Sequence, residues 1–116
     1  DAEWLRPRVA AGEIWIAELD GNAVATARLL WADAAVWGKR EAGDAAYVHT
    51  LAVRRDRAGA GIGRRVLAWA ATMARGRGAE RLRLDCLAAN RALVAYYREA
   101  GFGVVGTARL AGDDLV

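Results

Sequence analysis

The chain is poor in cysteine, histidine and proline, with one residue of each. A lone cysteine, Cys86, excludes an internal disulfide and is typical of a reducing compartment such as the cytoplasm. A lone histidine without a cysteine cluster offers no metal site. No apolar run reaches membrane-spanning length, and no signal peptide is visible. These absences predict a cytoplasmic protein that needs neither a metal ion nor a membrane.

With 55% hydrophobic residues, the chain can bury a substantial core, and we predict a single domain over residues 1–116. The formal net charge is +3, and basic residues cluster in one region: Arg54, Arg55, Arg57, Arg64 and Arg65. A polyanionic ligand explains this cluster, and so does nucleic acid, while a solvated basic turn without a partner is the third alternative. Nucleic acid is less favoured, because no strand interleaves basic and aromatic residues for base stacking. Because the first residue is Asp1 rather than methionine, we expect that a preceding segment is absent.

Three alternating glycines, Gly59, Gly61 and Gly63, lie between an apolar run (47–53) and a helical pattern that begins near residue 62. Glycines allow a tight turn whose N–H groups point inward. The helix start adds unsatisfied donors and the positive end of its dipole. A strand, a glycine turn and a helix start together predict a site for a phosphate or pyrophosphate.

Two common phosphate motifs do not match this turn. A P-loop requires Gly-Lys-Ser/Thr, but Gly63 is followed by Arg64 and Arg65. A dinucleotide-binding turn requires G-x-G-x-x-G, and its third glycine is missing in both possible frames. A turn without a ligand is the remaining alternative, although three glycines would then lower stability through backbone entropy without a function.

Hydrophobic periodicity predicts the order strand, strand, strand, helix, strand, helix, strand. The predicted strands are 13–19, 23–31, 45–54, 80–87 and 102–110, and the helices are about 62–75 and 91–100, the second capped by Asn90. We further expect a helical segment in 1–12, a loop in 33–44 and turns at 20–22 and 111–114. A strand–helix–strand crossover implies a parallel pair within a mixed sheet, so the predicted fold class is α/β (α+β).

Two segments together resemble the motifs of the GNAT acyl-CoA-dependent N-acyltransferases. Leu51-Ala52-Val53 followed by Gly61-x-Gly63 is similar to motif A, Arg/Gln-x-x-Gly-x-Gly/Ala. The first motif position falls on Ala58, a departure from the pattern, and Arg57 lies one residue early. Asn90, Tyr97, Gly101 and Phe102 are similar to the Asn…Tyr-x-x-x-Gly-Phe of motif B. The resemblance covers about residues 13 to 108.

The resemblance implies a GNAT-like mixed, mostly antiparallel sheet with a splayed central parallel pair, flanked by helices. The pantetheine arm of acetyl-CoA, the acyl donor, then enters the gap between those strands. Backbone groups of three strand residues would pair with this arm, and one N–H would polarise the thioester carbonyl: Leu51, Ala52 and Val53. Asn90 would contact the arm. The pyrophosphate would lie on the turn and helix start: Gly59, Ala60, Gly61, Ile62, Gly63 and Arg64.

Acyl transfer to an amine requires removal of a proton from the amine and benefits from a proton for the leaving thiolate. His49 is the candidate base, because neutral imidazole accepts a proton near pH 7 and a family member has a base histidine in a similar His-x-Leu-Ala-Val context. A histidine that only holds the sheet is the alternative, and Asp44 or an N-terminal carboxylate is a rival base. By resemblance, Tyr97 is the acid. Tyr96 points about 100° away around the helix, so both tyrosines cannot serve.

The sequence therefore predicts an N-acetyltransferase that acts on a primary amine of a small molecule or peptide by direct attack in a ternary complex. A catalytically silent acyl-CoA-binding or partner-binding module is the alternative. Trp31 and Trp37 either line the acceptor pocket or pack against the N-terminal segment. Edge strands make a homodimer a further expectation.

Overall fold

The computed structural model describes residues 5–7 and 14–116, and its centre is a five-stranded sheet with the order β1-β2-β3-β4-β5. The strands are β1 (Leu5–Pro7), β2 (Ile14–Leu19), β3 (Asn22–Leu30), β4 (Ala45–Val53) and β5 (Arg81–Leu84). The first four strands pair antiparallel, and β4 pairs with β5 in parallel. The predicted mixed, mostly antiparallel sheet is confirmed.

Helices and short turns connect these strands. They are α1 (Ala34–Trp37), α2 (Ile62–Gly76), α3 (Arg91–Glu99) and the 3₁₀ turns Gly38–Arg40 and Arg55–Arg57. A separate hairpin of β6 (Ala108–Leu110) and β7 (Asp113–Leu115) ends the chain. In the part of the chain that the structure describes, every helix is too short or too polar to cross a bilayer.

The helix α2 covers one face of the sheet and closes the hydrophobic core. The sequence places six apolar residues on one face of this helix. Met73 is partly buried, and the structure buries the other five: Ile62, Val66, Leu67, Ala70 and Ala74. Trp69 is also buried, and its ring lies 4.9 Å from that of Trp15 on β2. Burial of this stripe fixes the orientation of α2, and with it the position of the glycine turn at its start.

The predicted hairpin between β2 and β3 is confirmed, and its turn explains the register. Asp20 and Gly21 both have positive φ, 53° and 78°, which is the backbone of a two-residue type I′ turn. Leu19 therefore pairs with Asn22, and the pairing extends to Ile14 and Arg28.

Several predicted boundaries are wrong. Leu5–Pro7 forms a strand against β2 rather than a helix, because β2 offers an unpaired edge and proline is tolerated in an edge strand. The remainder of the predicted helical segment, 1–4 and 8–12, lies outside the described residues. The strand predicted for 80–87 ends at Leu84, and residues 102–107 are irregular, in keeping with the low strand propensity of Gly103 and Gly106.

Two further predictions need correction in detail. The segment predicted as a loop, 33–44, contains α1 and the following 3₁₀ turn. The final turn is confined to Ala111 and Gly112, both with positive φ, so that Asp113 and Asp114 belong to β7. In both cases a short element of one turn or three residues lacks a periodicity that the sequence could reveal.

Candidate active site

The two central parallel strands separate along their length. The pairing between β4 and β5 begins at Ala45 with Arg81 and ends at Val48 with Leu84. Beyond this point β4 continues to Val53 without β5 beside it. On its other edge this continuation pairs with β3, at Thr26 with Ala52 and at Ala25 with Val53. Within the described residues, one edge of Leu51–Val53 therefore lacks a partner strand. Its backbone groups can pair with an extended ligand, as an added strand would.

A bulge lies at the point where the strands separate. Thr50 has a φ of 48°, and the register against β3 shifts between Thr26 and Arg28. A non-glycine residue in this conformation is uncommon, and bulges frequently re-aim backbone and side chains beside active sites. The bulge changes the direction of β4 directly after His49 and before the unpaired segment.

The glycine turn places the open start of α2 at the same end of β4. Gly59 and Gly61 have φ values of 81° and 77°, and a Cβ built at either position would meet nothing within 4 Å. Gly61 caps α2 without a side-chain hydrogen bond, and the first turn of α2 contains no acidic residue. The first N–H groups of α2 lack intrahelical acceptors and carry the positive end of the dipole, so the turn fits a pyrophosphate.

The two tyrosines of α3 pack edge-on against each other, with ring centroids 5.5 Å apart, and have different further contacts. The hydroxyl of Tyr96 lies against Gly63 and near Val53, whereas the ring of Tyr97 packs edge-on against Phe102 at 6.0 Å. Burial raises the pKa of Tyr97, with further raising contributions from Cys86, Tyr96 and Asp85. A raised pKa keeps the phenol protonated at neutral pH, which is the state that an acid requires. The role of Tyr97 stays a prediction, and Tyr96 has the hydroxyl closer to the helix start.

The candidate base is part of a cluster of three titratable side chains. His49 Nε2 lies 2.7 Å from Asp33 Oδ2, and donor atoms of Asp33, His49 and Asp85 all lie within 4.8 Å of one another. Histidine nitrogens and carboxylate oxygens are found in metal sites as well as in proton-transfer sites. The hydrogen bond between Asp33 and His49 favours a proton-transfer site. The structure thus places His49 beside two carboxyl groups that the sequence analysis did not assign.

Asp85 is the member of the cluster that also interacts with Tyr97, whose pKa it helps to raise. Its Oδ1 is buried without a hydrogen-bond partner among the described residues, and burial raises its pKa, with Asp33 raising it further and His49 lowering it. The parallel register explains the contact, because Val48 pairs with Leu84 and the next residues, His49 and Asp85, share a face. The position of Asp85 near the end of the predicted strand 80–87 was a usable signal in the sequence, but the register was not. Asp33 gave none, because it comes from a loop.

A cavity of about 1060 Å³ lies between α2, β5, α3 and the C-terminal segment. Two of the predicted site residues, Arg64 and Tyr97, line it, and Asp85 and Cys86 are beside them. His49, the glycines of the turn and Leu51–Val53 are not part of its walls. Asp85 therefore connects the histidine cluster to the cavity that contains Tyr97.

The remaining predicted residues have defined positions. Asn90 caps α3, accepting a hydrogen bond from the N–H of Leu93 at 3.1 Å, which confirms the predicted N-cap. The rival base Asp44 lies at the other end of β4, paired with Arg81 at 2.6 Å. Burial raises the pKa of Cys86, which lowers its thiolate fraction and agrees with an unreactive thiol.

The two tryptophans considered for the acceptor pocket have different surroundings. The Arg77 guanidinium lies 4.1 Å from the ring of Trp31, so Trp31 contacts the end of α2. Trp37 lines the cavity, where the Arg83 guanidinium lies 4.5 Å from its ring. Of the two residues, only Trp37 faces the cavity and is available to a ligand there.

Comparison with known proteins decides the family. The family model of the Acetyltransferase (GNAT) family matches residues 2–102. The chain belongs to the GNAT acetyltransferase family. An uncharacterized N-acetyltransferase of Bacillus subtilis (strain 168), YesJ, is 33% identical to the chain over 90% of its length and 72% of the length of YesJ. The predicted GNAT resemblance is confirmed, and acetyl-CoA is the acyl donor of this family.

Solved structures of GNAT proteins show the same fold. A GNAT acetyltransferase from Listeria monocytogenes 4b F2365 has a TM-score of 0.74 at 24% identity, covering 90% of this chain and 62% of that one. A protein of Bacillus anthracis str. Ames, assigned as a streptothricin acetyltransferase and solved with acetyl coenzyme A, has a TM-score of 0.68 at 21% identity, covering 88% and 57%. The chain thus spans less than two thirds of either structure.

Proposed function

We propose that this GNAT protein transfers the acetyl group of acetyl-CoA to a primary amine of a small molecule or peptide by direct attack in a ternary complex. The observation that carries the proposal is the unpaired edge of Leu51–Val53, followed along the chain by the glycine turn and the start of α2, which has no side-chain cap. The family and the position of His49, two residues before this edge, support it. An amine acceptor is the class on which GNAT enzymes act.

Different residues along the gap would bind different parts of acetyl-CoA. The backbone of Leu51–Val53 would hold the pantetheine arm as an added strand, and the N–H groups from Gly59 to Arg64 would hold the pyrophosphate. Bound acetyl-CoA supplies the activated acyl group as a thioester. An N–H group of the unpaired segment would polarise the thioester carbonyl and stabilise the negative charge that develops on its oxygen.

Proton transfer falls to side chains at the ends of this arrangement. His49 would take the proton of the acceptor ammonium, directly or through one water molecule, because an ammonium has no lone pair with which to attack. Tyr97 would donate a proton to the departing thiolate. Asp85 lies beside His49 and lines the cavity that contains Tyr97, and its carboxyl oxygen would offer a hydrogen-bond acceptor to the amine.

Binding and turnover test the proposal separately. Calorimetric titration should show micromolar binding of acetyl-CoA and none of NADH, and release of free thiol should follow addition of primary amines from a broad panel. Gly61→Glu should abolish acetyl-CoA binding, since it places bulk and negative charge at the helix start, where φ also disfavours a side chain. Normal affinity in a folded Gly61→Glu protein would remove the pyrophosphate site from the proposal.

The departure at Ala58 gives the silent module a specific basis, since the first position of motif A lacks its usual side chain. This second candidate predicts acetyl-CoA binding in the calorimeter and no thiol release with any amine. Turnover with one acceptor excludes it. Nucleic-acid binding through the arginine cluster would instead appear as an affinity for DNA or RNA that falls steeply with salt.

A further inference from the structure

We propose that Asp33 is a positioning residue that fixes His49 as the Nε2–H tautomer and thereby makes Nδ1 the nitrogen that accepts the proton. The tautomer follows from the contact between Asp33 and His49 and from the chemistry of the two groups, while the catalytic consequence rests on the proposed function. The hydrogen bond between Nε2 and Asp33 Oδ2 is 2.7 Å long, the range of a charge-assisted bond.

The chemistry of the two groups assigns the proton. An ionised carboxylate accepts hydrogen bonds and cannot donate them, so the hydrogen in this contact belongs to Nε2. Neutral imidazole carries one N–H, which leaves Nδ1 with its lone pair. The side chain of Asp33 is 10% exposed and that of His49 24%, so the bond is shielded from competing water. When Nδ1 takes a proton, the carboxylate stabilises the resulting imidazolium.

A hydrogen-bonded network centred on Glu41 holds the backbone of Asp33 in place. The backbone N–H of Asp33 donates to Glu41 Oε2 at 3.1 Å, and the other oxygen of Glu41 accepts from the N–H of Gly43 at 3.0 Å. Glu41 also accepts a hydrogen bond from the hydroxyl of Tyr47. The carboxylate of Glu41 therefore closes the segment 33–43 and fixes the residue that contacts His49.

The network is anchored on the sheet itself. Tyr47 on β4 is fully buried, and its hydroxyl accepts a hydrogen bond from Arg83 Nη1 at 3.0 Å. Arg83 on β5 also donates to the carbonyl of Arg40 at 3.0 Å, so the two central strands hold the loop at two points. A rigid support of this kind is what separates a positioning contact from a chance surface pair, because the backbone of Asp33 is tied through Glu41 to the buried Tyr47.

Asp85 provides the matched control. It belongs to the same cluster, and one of its carboxylate oxygens also lies within 4.8 Å of a ring nitrogen of His49. The direct hydrogen bond to the histidine is nevertheless made by Asp33. Asp33→Asn and Asp85→Asn remove one negative charge each from the same neighbourhood with nearly no change in shape. If the effect on His49 comes from the negative charge of the cluster, both variants should show it. If it comes from the position of Asp33, only Asp33→Asn should show it.

Nuclear magnetic resonance tests the tautomer without any assay of activity. His49 is the only histidine of the chain, so uniformly ¹⁵N-labelled protein gives a single imidazole spin system. In the neutral imidazole, long-range ¹H–¹⁵N correlations should show a protonated Nε2, a lone-pair Nδ1 and a downfield proton attached to Nε2. This proton should persist in Asp85→Asn and vanish in Asp33→Asn and Asp33→Ala. A proton on Nδ1, or a downfield proton that survives Asp33→Ala, overturns the assignment.

Kinetics then tests the positioning role. Asp33→Asn should lower kcat on the order of 10²-fold, the lower end of what general base catalysis contributes, while the KM for acetyl-CoA stays unchanged. Asp33→Glu should recover part of kcat. An unchanged kcat in Asp33→Asn overturns the positioning role even if the tautomer is correct. A failure of the proposed function is recognised differently, because wild-type protein would then show the tautomer and no turnover.

Discussion

The hydroxyl group of Tyr96 occupies the space that a side chain at Gly63 would need. A Cβ built at Gly63 would overlap the hydroxyl oxygen of Tyr96 and lie 3.4 Å from its Cζ and 3.9 Å from Cγ2 of Val53. The third glycine of the turn therefore differs from the first two, which face open space. Its small size allows α3 to approach the start of α2 and the unpaired end of β4.

We expect Gly63→Ala to destabilise the protein by about 1 to 3 kcal/mol, because the new methyl group forces Tyr96 or α2 to move. Chemical denaturation at constant m-value measures this change. Gly76→Ala is the matched control in the same helix, since a Cβ there meets nothing within 4 Å and its φ is not in the left-handed region. It should be neutral or stabilising by about 0.4 to 1 kcal/mol.

The double variant Gly63→Ala/Tyr96→Phe gives a further check on this contact. Without the hydroxyl group, the nearest ring atom to the new Cβ at position 63 is Cζ of residue 96, at 3.4 Å. Part of the lost stability should therefore return. If the double variant is as unstable as the sum of the two single variants, the hydroxyl is not the obstacle and the relationship is wrong.

Tyr97→Phe should lower kcat by roughly 10²-fold with little change in acetyl-CoA affinity, because it removes the proposed acid and keeps the ring. Steady-state kinetics and calorimetry on the same preparation separate these quantities. Tyr96→Phe is the matched control, one residue away on the same helix. A loss of kcat in Tyr96→Phe and not in Tyr97→Phe would transfer the role of acid to Tyr96, whose hydroxyl already lies at the start of α2.

Asp85→Asn should stabilise the folded protein at pH 7 while reducing activity. Burial raises the pKa of Asp85 above its ordinary value of 3.8, so the folded state binds this proton more tightly than the unfolded state. The associated stabilisation is complete below pH 3.8 and is lost as the pH rises through the folded pKa. Ionised Asp85 is therefore unfavourable at neutral pH, and asparagine removes that effect.

Thermal unfolding of wild type and Asp85→Asn across a pH series measures this difference. The advantage of the variant should be present at pH 7 and shrink as the pH falls toward 3.8. An advantage that grows on acidification has the wrong sign and would mean that Asp85 is stabilised in its ionised form by His49.

Tyr47→Phe should destabilise the protein by about 1 to 3 kcal/mol, since a fully buried hydroxyl that joins Glu41 and Arg83 leaves both partners without it. Urea denaturation gives the free energy, and loss of the downfield His49 proton would show that the damage reaches Asp33. Lys39→Ala, on the exposed surface of the same loop, is the control and should change stability by less than about 0.5 kcal/mol. Equal stability of Tyr47→Phe and wild type would mean that the network does not hold the loop.

The sequence by itself determined the order β2, β3, β4, α2, β5, α3 and β6, the apolar face of α2, the turn at Asp20 and Gly21, and the cap at Asn90. Each of these follows from local backbone preference or from a period of two or 3.6 residues, which neighbouring side chains display directly. The glycine turn and the Leu51–Val53 segment were recognisable for the same reason, since their chemistry is contained in one continuous stretch.

Only the tertiary structure placed Asp33 and Asp85 beside His49. Their proximity depends on the parallel register of β4 and β5, on the bulge at Thr50 and on a loop held by Glu41. The contact between Tyr96 and Gly63 likewise became visible only when α3 packed against α2. Contacts between distant residues depend on how all elements pack together, whereas periodicity reports only what lies within one element. The cluster of Asp33, His49 and Asp85 is a set of such long-range contacts.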